Sequence, residues 1–124
     1  MTQTHAVAAL IDDYFNLAHE PQSRDFHQVF HPSCLVQWLQ DGQLQTLSAP
    51  EYAALIHGRP SPRSMDAPRE EAILSMTHIS DSLSTATVKV RIGQKLFNDH
   101  FVMHEVEGRW SITNKSSFVA RTFD

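Results

Sequence analysis

The sequence has 124 residues, of which 41% are hydrophobic, enough for one hydrophobic core and hence for a single domain over residues 1–124. Its 10 basic and 14 acidic residues give a net charge of −4 with no basic run, so we expect neither a nucleic acid nor a membrane surface as partner. The only cysteine, Cys34, excludes an intrachain disulfide. We expect a cytoplasmic location, because a signal-peptide pattern and an apolar stretch long enough to cross a bilayer are both lacking.

The N-terminal part of the sequence predicts two helices. Apolar residues spaced three and four apart predict an amphipathic helix over about residues 4–19, which Pro21 ends. Ser23 is then a candidate cap for a short second helix, and Pro32 would stop it. The inward residues of this second helix would be Phe26, Val29 and Phe30.

A hairpin and a third helix are predicted next. Residues 34–47 contain two β-rich runs separated by Asp41-Gly42, a dipeptide typical of two-residue hairpin turns. Ser48 and Glu51 have the spacing of a capping box and predict a third helix, which Gly58 ends.

The rest of the sequence is typical of long strands. Four runs rich in Val, Ile, Thr and Phe are separated by short turns, and they cover residues 69–80, 84–94, 96–106 and 109–120. Three helices followed by a meander of this length predict an α+β domain with the helices on one face of the sheet.

Several motifs in this order resemble one protein family. They are Tyr14-Phe15, Phe30-His31-Pro32-Ser33, Asn98-Asp99-His100-Phe101, Glu107-Gly108-Arg109-Trp110-Ser111-Ile112 and Asn114-Lys115. The chain resembles the nuclear-transport-factor-2-like (NTF2-like) superfamily over nearly its whole length. The resemblance is to bacterial members described as SnoaL-like or "putative lumazine-binding", and more distantly to ketosteroid isomerase.

The resemblance implies a fold and an assembly. The fold is an α+β cone, in which three N-terminal helices pack on a strongly curved mixed or antiparallel sheet. The cone encloses a mostly apolar pocket with a few polar groups, and two subunits pair as a homodimer through the convex face of the sheet.

Asp99 and Tyr14 are the candidate catalytic residues, and the alternative for Asp99 is a structural anchor that bonds to the backbone or to a neighbouring helix. Asp99 shares a strand face with Phe97 and Phe101, which would desolvate its carboxyl group and suit it to hydrogen bonding or proton transfer. By motif, Tyr14 and Asp99 match the two oxyanion-hole positions of ketosteroid isomerase. Trp38 lies where that enzyme has its proton-shuttling acid, so we do not expect isomerase activity of that type. What remains is a hydroxyl–carboxyl pair that could hold a ligand oxygen.

Five further residues are candidates for ligand binding. Ordinary packing in the core is the alternative for Trp38 and Trp110, and covering the sheet is the alternative for Tyr52. Trp38 could stack on a flat ring and Tyr52 could line the pocket mouth. Phe101 neighbours Asp99 on its face, while Asn114 shares a predicted face with Trp110, so Asn114 could supply a polar group.

Neither a metal nor a cofactor is expected. His100 and His104 share a strand face, but four residues in a strand span roughly 13 Å, too far for two ligands of one zinc ion. The four glycines form no phosphate-binding loop and no dinucleotide fingerprint.

The sequence is consistent with three functions. The first is binding of a small, flat, apolar ligand that carries an oxygen group. The second is a cofactor-independent lyase, isomerase or cyclase that uses Asp99 as acid and base. The third is a non-catalytic dimerisation or interaction module, for which a filled interior would be evidence.

Overall fold

In the computed structural model, which describes residues 2–124, the chain forms two α-helices and six β-strands. Helix α1 spans Gln3–His19 and helix α2 spans Ala49–His57. The strands are β1 (Phe30–Gln40), β2 (Gln43–Ser48), β3 (Glu71–Ser80), β4 (Leu83–Ile92), β5 (Lys95–Val106) and β6 (Arg109–Thr122). In this part of the chain, no helix is both long and apolar enough to cross a membrane.

The six strands form one mixed sheet in the order β2-β1-β6-β5-β4-β3. Strands β1 and β6 pair in parallel, and every other neighbouring pair is antiparallel. The predicted turn of the first hairpin is confirmed, with Asp41 and Gly42 both in the left-handed region at φ 52° and 78°. Such turns match the twist of the paired strands. The α+β class and the mixed sheet are therefore as the sequence predicts.

The prediction of a short second helix is wrong. The segment contains two separate 3₁₀ turns, Pro21–Ser23 and Phe26–Gln28, and Asp25 rather than Ser23 caps the second of them. Strand β1 then begins at Phe30 and includes Pro32. Two prolines eleven residues apart leave too little chain to nucleate an α-helix, and the second one disfavours helical geometry in the residue before it.

Both α-helices begin with a side-chain cap. The hydroxyl of Thr2 accepts a hydrogen bond from the backbone N–H of His5 at 3.1 Å, and this cap starts α1. The predicted capping box of α2 is confirmed, because Ser48 and Glu51 exchange hydrogen bonds of 2.9 and 3.3 Å. The cap fixes where α2 starts, and thereby which of its residues face the sheet.

The concave face of the sheet carries the hydrophobic core. Helix α1 turns Val7, Ile11 and Tyr14 inward, and each is at most 1% exposed. On strands β4 and β5 the fully buried residues alternate with more exposed ones, as expected for a sheet with one covered face. The core therefore lies between α1 and the middle of the sheet.

A β-bulge in β6 changes which residues face the core. Val102 pairs with Asn114 and Met103 pairs with Ile112, so Thr113 is an extra residue without a partner in the ladder. Ile112 is buried, and Asn114 is exposed on the opposite face of the sheet. The prediction that Asn114 shares a face with Trp110 is therefore wrong, because the extra residue reverses the alternation.

Candidate functional site

A cavity of about 540 Å³ opens at the end of the sheet that α1 does not cover. Its walls come from β1, β6, the start of β5, the end of β4, helix α2 and the loop after α2, which contributes Arg59. The lining residues are Val36, Trp38, Leu39, Tyr52, Leu55, Arg59, Ile92, Lys95, Phe97, Lys115, Ser117, Phe118 and Val119. Most of these side chains are apolar, so the polar ones determine what else the cavity can recognise.

Lys115 is the buried cation of the cavity. Its side chain is 5% exposed, and its Nζ donates a hydrogen bond of 2.7 Å to the hydroxyl of Tyr52. The same Nζ lies 3.9 Å from Oδ2 of Asp99. Burial by itself would lower the pKa of Lys115, but the charge of Asp99 and the contact with Tyr52 raise it above its ordinary value. Lys115 is therefore an ammonium ion at neutral pH.

Tyr14 and Asp99 form a hydrogen-bonded pair beside Lys115. The hydroxyl of Tyr14 donates to Oδ2 of Asp99 over 2.5 Å, and both residues are about 1% exposed. Burial, followed by the charge of Asp99, raises the pKa of Tyr14 well above the ordinary tyrosine value. Tyr14 is therefore a neutral phenol, and its only hydroxyl proton is used in the bond to Asp99.

This arrangement differs from the prediction that the hydroxyl of Tyr14 and the carboxyl group of Asp99 bind a ligand oxygen directly. Neither Tyr14 nor Asp99 is among the residues that line the cavity. Lys115 lines it and also faces Asp99, so a ligand would contact the ammonium group and not the pair itself. The pair supports Lys115 from the core side.

Two buried oxygen atoms close to this network have no hydrogen-bond partner among residues 2–124. They are Oδ1 of Asp99 and Oγ of Ser117, which belong to directly opposed residues of β5 and β6. A buried polar atom without a partner costs about 1–3 kcal/mol. The polar groups at this end of the cavity are therefore not fully satisfied by the protein.

The other predicted ligand-binding residues fall into two groups. Trp38 and Tyr52 line the cavity. Phe101 is fully buried against Tyr14, with ring centroids 4.9 Å apart, and Trp110 is a buried core residue outside the cavity lining. Asn114 is exposed on the outer face of the sheet. The structure thus places Phe101, Trp110 and Asn114 away from the cavity.

Sequence reasoning missed Lys115, Ser117 and Arg59 as cavity residues. Lys115 and Ser117 face inward only because of the bulge at Thr113, which the alternation pattern does not reveal. A signal was nevertheless present, because Lys115 is a lone cation inside an otherwise uncharged stretch of a strand, residues 110–120.

The charged residues of the cavity are all of one sign. Arg59, Lys95 and Lys115 line it, and no aspartate or glutamate is among the lining residues. Within residues 2–124, Lys115 forms an ion pair with Asp99, whereas Arg59 and Lys95 take part in none. A chain with a net charge of −4 therefore has a positively charged cavity.

A curved mixed sheet with helices on its concave face, and a cavity at the uncovered end, define an NTF2-like protein with a cystatin-like fold. The chain belongs to the family described as "Putative lumazine-binding", whose model matches residues 2–117. Among curated proteins there is no match to the sequence.

Solved structures show the same fold at low sequence identity. An NTF2-like protein of unknown function from Shewanella baltica is 18% identical, with a TM-score of 0.81 over 98% of this chain and 99% of that one. A similar protein from Silicibacter pomeroyi is also 18% identical, with a TM-score of 0.78 over 96% and 99%. A domain with a cystatin-like fold from Nostoc punctiforme is 13% identical, with a TM-score of 0.71 over 98% and 81%. These relatives confirm the fold that the sequence predicts.

Proposed function

We propose that the protein binds a small, flat, largely apolar molecule with an oxygen group inside the cavity. The observation that carries this proposal is an open cavity of about 540 Å³ whose apolar walls meet a buried Lys115–Tyr52 pair. Small-molecule sites are typically concave, about 300–1,000 Å³ in volume, and mostly apolar with a few fixed polar groups.

The walls favour a flat ligand. Trp38 is only partly buried and lines the cavity, as does the half-buried Phe97 from β5. Aromatic side chains at such positions can pack against the face or edge of another ring, which is worth about 0.5–1.5 kcal/mol beyond the area that is buried. A planar ligand would make these contacts with the smallest loss of conformational freedom.

The polar end of the cavity favours an oxygen on the ligand. Lys115 and Tyr52 are both hydrogen-bond donors, and both are at most 6% exposed. A carbonyl, phenolic or carboxyl oxygen would accept from them. The family description names lumazine, a flat bicyclic molecule with ring carbonyl oxygens, and lumazine is therefore a sensible first ligand to test.

The proposal can be tested by calorimetric titration with lumazine and a small set of flat aromatic acids, amides and phenols. We expect at least one of them to bind the protein, and Leu55→Trp to weaken that binding by about tenfold or more, because Leu55 lines the cavity and indole would occupy it. Leu74→Trp is the matched control, since Leu74 is a similarly exposed leucine on β3, outside the lining. Equal weakening by both variants, or binding of no compound, would contradict the proposal.

A cofactor-independent lyase, isomerase or cyclase is the second candidate. The observation that favours it is the ion pair between Asp99 and Lys115, because Lys115 lines the cavity and could exchange a proton with a bound molecule. Mass spectrometry and NMR spectroscopy of the ligand recovered after titration separate the two functions, NMR because an isomerised product keeps its mass. A changed mass or a changed NMR spectrum that depends on Asp99 supports an enzyme, and a ligand unchanged by both measurements supports a binding protein.

The third candidate, a non-catalytic interaction module, is less favoured by the interior of the protein. Trp38 lies on the wall of the cavity, and Phe101 lies in the core under Tyr14, so neither side chain fills the cavity. A concave space lined mostly by apolar side chains is the usual form of a small-molecule site. The open interior therefore supports ligand binding.

A further inference from the structure

The charged residues that line the cavity are all basic, and this restricts the chemical class of ligand that the cavity would bind. We propose that the natural ligand is an organic anion, a flat apolar body with an anionic oxygen such as a carboxylate, which Lys115 and Tyr52 hold at the buried end. This inference rests on the proposed function, since it assigns a chemistry to the occupant of the same cavity.

Lys115 has hydrogen-bonding capacity that the protein does not use. An ammonium group has three N–H donors, and within residues 2–124 only one of them has a hydrogen-bond acceptor, the hydroxyl of Tyr52. The 3.9 Å to Oδ2 of Asp99 is an electrostatic contact and is too long for a hydrogen bond. A buried cation is stable only when it is paired and hydrogen-bonded. The remaining donors therefore favour an acceptor on the ligand.

Tyr52 and Ser117 add donors to the same end of the cavity. The hydroxyl oxygen of Tyr52 accepts from Lys115, and its own proton has no acceptor in the described part of the chain. The hydroxyl of Ser117 is also without a partner there. Both residues line the cavity together with Lys115. A ligand oxygen with several lone pairs, as in a carboxylate, could accept from more than one of these groups.

The rim of the cavity supplies two more cations. Arg59 is half-buried and Lys95 is exposed, and in residues 2–124 neither lies within ion-pair distance of a carboxylate. Basic residues without an ion pair within residues 2–124 also occur elsewhere on the protein, such as Arg63 and Arg121, so what distinguishes Arg59 and Lys95 is that both line the cavity. Clefts lined by charge of one sign concentrate ligands of the opposite sign and speed their association. The rim and the buried end of the cavity thus both favour a negatively charged ligand.

The experiment compares two ligands with the same ring system and different charge, 2-naphthoate and 2-naphthamide. We expect calorimetric titration at pH 7 to give a dissociation constant at least about tenfold lower for 2-naphthoate. The double variant Lys115→Met, Asp99→Asn removes both members of the ion pair without leaving a lone buried charge. We expect this variant to bind the two compounds within about threefold of each other, with its folding checked by circular dichroism.

A rim variant keeps the inference testable if the double variant does not fold. We expect Arg59→Gln to weaken 2-naphthoate about threefold or more at low salt, with 2-naphthamide unchanged. Arg109→Gln is the matched control, because it changes the net charge equally and Arg109 lies outside the cavity lining. Equal effects of the two variants would overturn the assignment of the charge preference to the cavity.

The outcomes separate this inference from the proposed function. A preference for 2-naphthoate that the variants remove supports both. Equal binding of the acid and the amide leaves the binding function in place and overturns the anion preference. Binding of neither compound overturns the anion inference, whereas binding of another neutral flat ligand in the same cavity would still support the proposed function.

Discussion

The concave face of the sheet has two halves that differ although the same two strands, β5 and β6, run through both. In the packed half, Phe101, Met103 and Ile112 are fully buried. In the open half, Phe97, Lys115 and other residues of these strands line a cavity of about 540 Å³. The difference lies in what covers the strands. Tyr14 of helix α1 packs on Phe101 in the packed half, whereas α2 contributes only Tyr52 and Leu55 to the lining of the cavity in the open half.

Tyr14 and Asp99 mark the boundary between the two halves. Tyr14 contacts the ring of Phe101 on one side and donates to Asp99 on the other, and Asp99 faces the ammonium group of Lys115. A buried carboxylate is thus held between a hydrophobic core and a cation that reaches the cavity. The candidate site therefore depends on an ion pair anchored in the core, and substitutions at this boundary should affect both the free energy of unfolding and ligand binding.

The largest loss of stability is expected when the ion pair between Lys115 and Asp99 is broken by replacing Lys115. Lys115→Met should lower the free energy of unfolding by about 3–5 kcal/mol, because it leaves Asp99 buried without a cation. Adding Asp99→Asn should recover much of this loss. Urea denaturation of these two variants and of the unmodified protein measures the change in the free energy of unfolding. Lys95→Met is the control, since Lys95 is exposed at the rim and should change stability by less than about 0.5 kcal/mol. A loss below about 1 kcal/mol in Lys115→Met would contradict the buried pair.

A smaller loss of stability is expected when Tyr14, at the boundary between the two halves, is replaced. Tyr14→Phe removes a hydrogen bond to a charged group and should cost about 1.5–3 kcal/mol at pH 7. Because the pKa of Tyr14 is raised in the folded protein, its stabilising contribution is present below about pH 10 and is lost as the pH rises further. The raised pKa of Lys115 acts in the same direction.

Urea denaturation between pH 8 and pH 11 checks this pH dependence. The stability of the unmodified protein should fall from about pH 9, because burial raises the pKa of Cys34 to about 12, and more steeply above about pH 10. That of Tyr14→Phe should fall less steeply, since Cys34 and Lys115 still contribute and Tyr14 does not. Parallel curves for the two proteins would show that Tyr14 does not titrate with a raised pKa.

The smallest effect is expected on the outer face of β6. Asn114→Ala should change stability by less than about 0.5 kcal/mol and leave the affinity for a cavity ligand unchanged, because Asn114 is exposed on the face away from the cavity. Calorimetric titration of Asn114→Ala and Ser117→Ala with the same ligand compares a residue outside the cavity lining with one that belongs to it. Weakened binding in Asn114→Ala alone would mean that the bulge at Thr113 is wrongly placed.

Much of the fold was predictable because local patterns agree with the final structure. The spacing of apolar residues in α1, the Asp41-Gly42 turn and the Ser48–Glu51 capping box are short-range signals, and each is confirmed. The short second helix was a wrong prediction because the helical spacing of Phe26, Val29 and Phe30 also fits 3₁₀ turns that lead into a strand. The homodimer through the convex face of the sheet stays a prediction from the family resemblance.

The site was only partly predictable. Asp99 was noticed because it is an acid between two phenylalanines, and the family motif pointed to Tyr14. The bond between these two residues, at a separation of 85 positions, depends on how α1 crosses β5. The sequence of β6 does not indicate that Lys115 faces inward, because the reversal of its face arises from the pairing between β5 and β6.

The sequence by itself determined the class of fold, the caps and turns, and the presence of one buried acid, because these follow from neighbours a few residues apart. Only the tertiary structure decided that Lys115 faces inward, that Asp99 is paired with Tyr14 and Lys115, and that the cavity wall carries cations alone. The physical reason is that a bulge, an ion pair and a cavity arise between elements far apart in the chain, where a one-residue offset moves a side chain to the other face of the sheet.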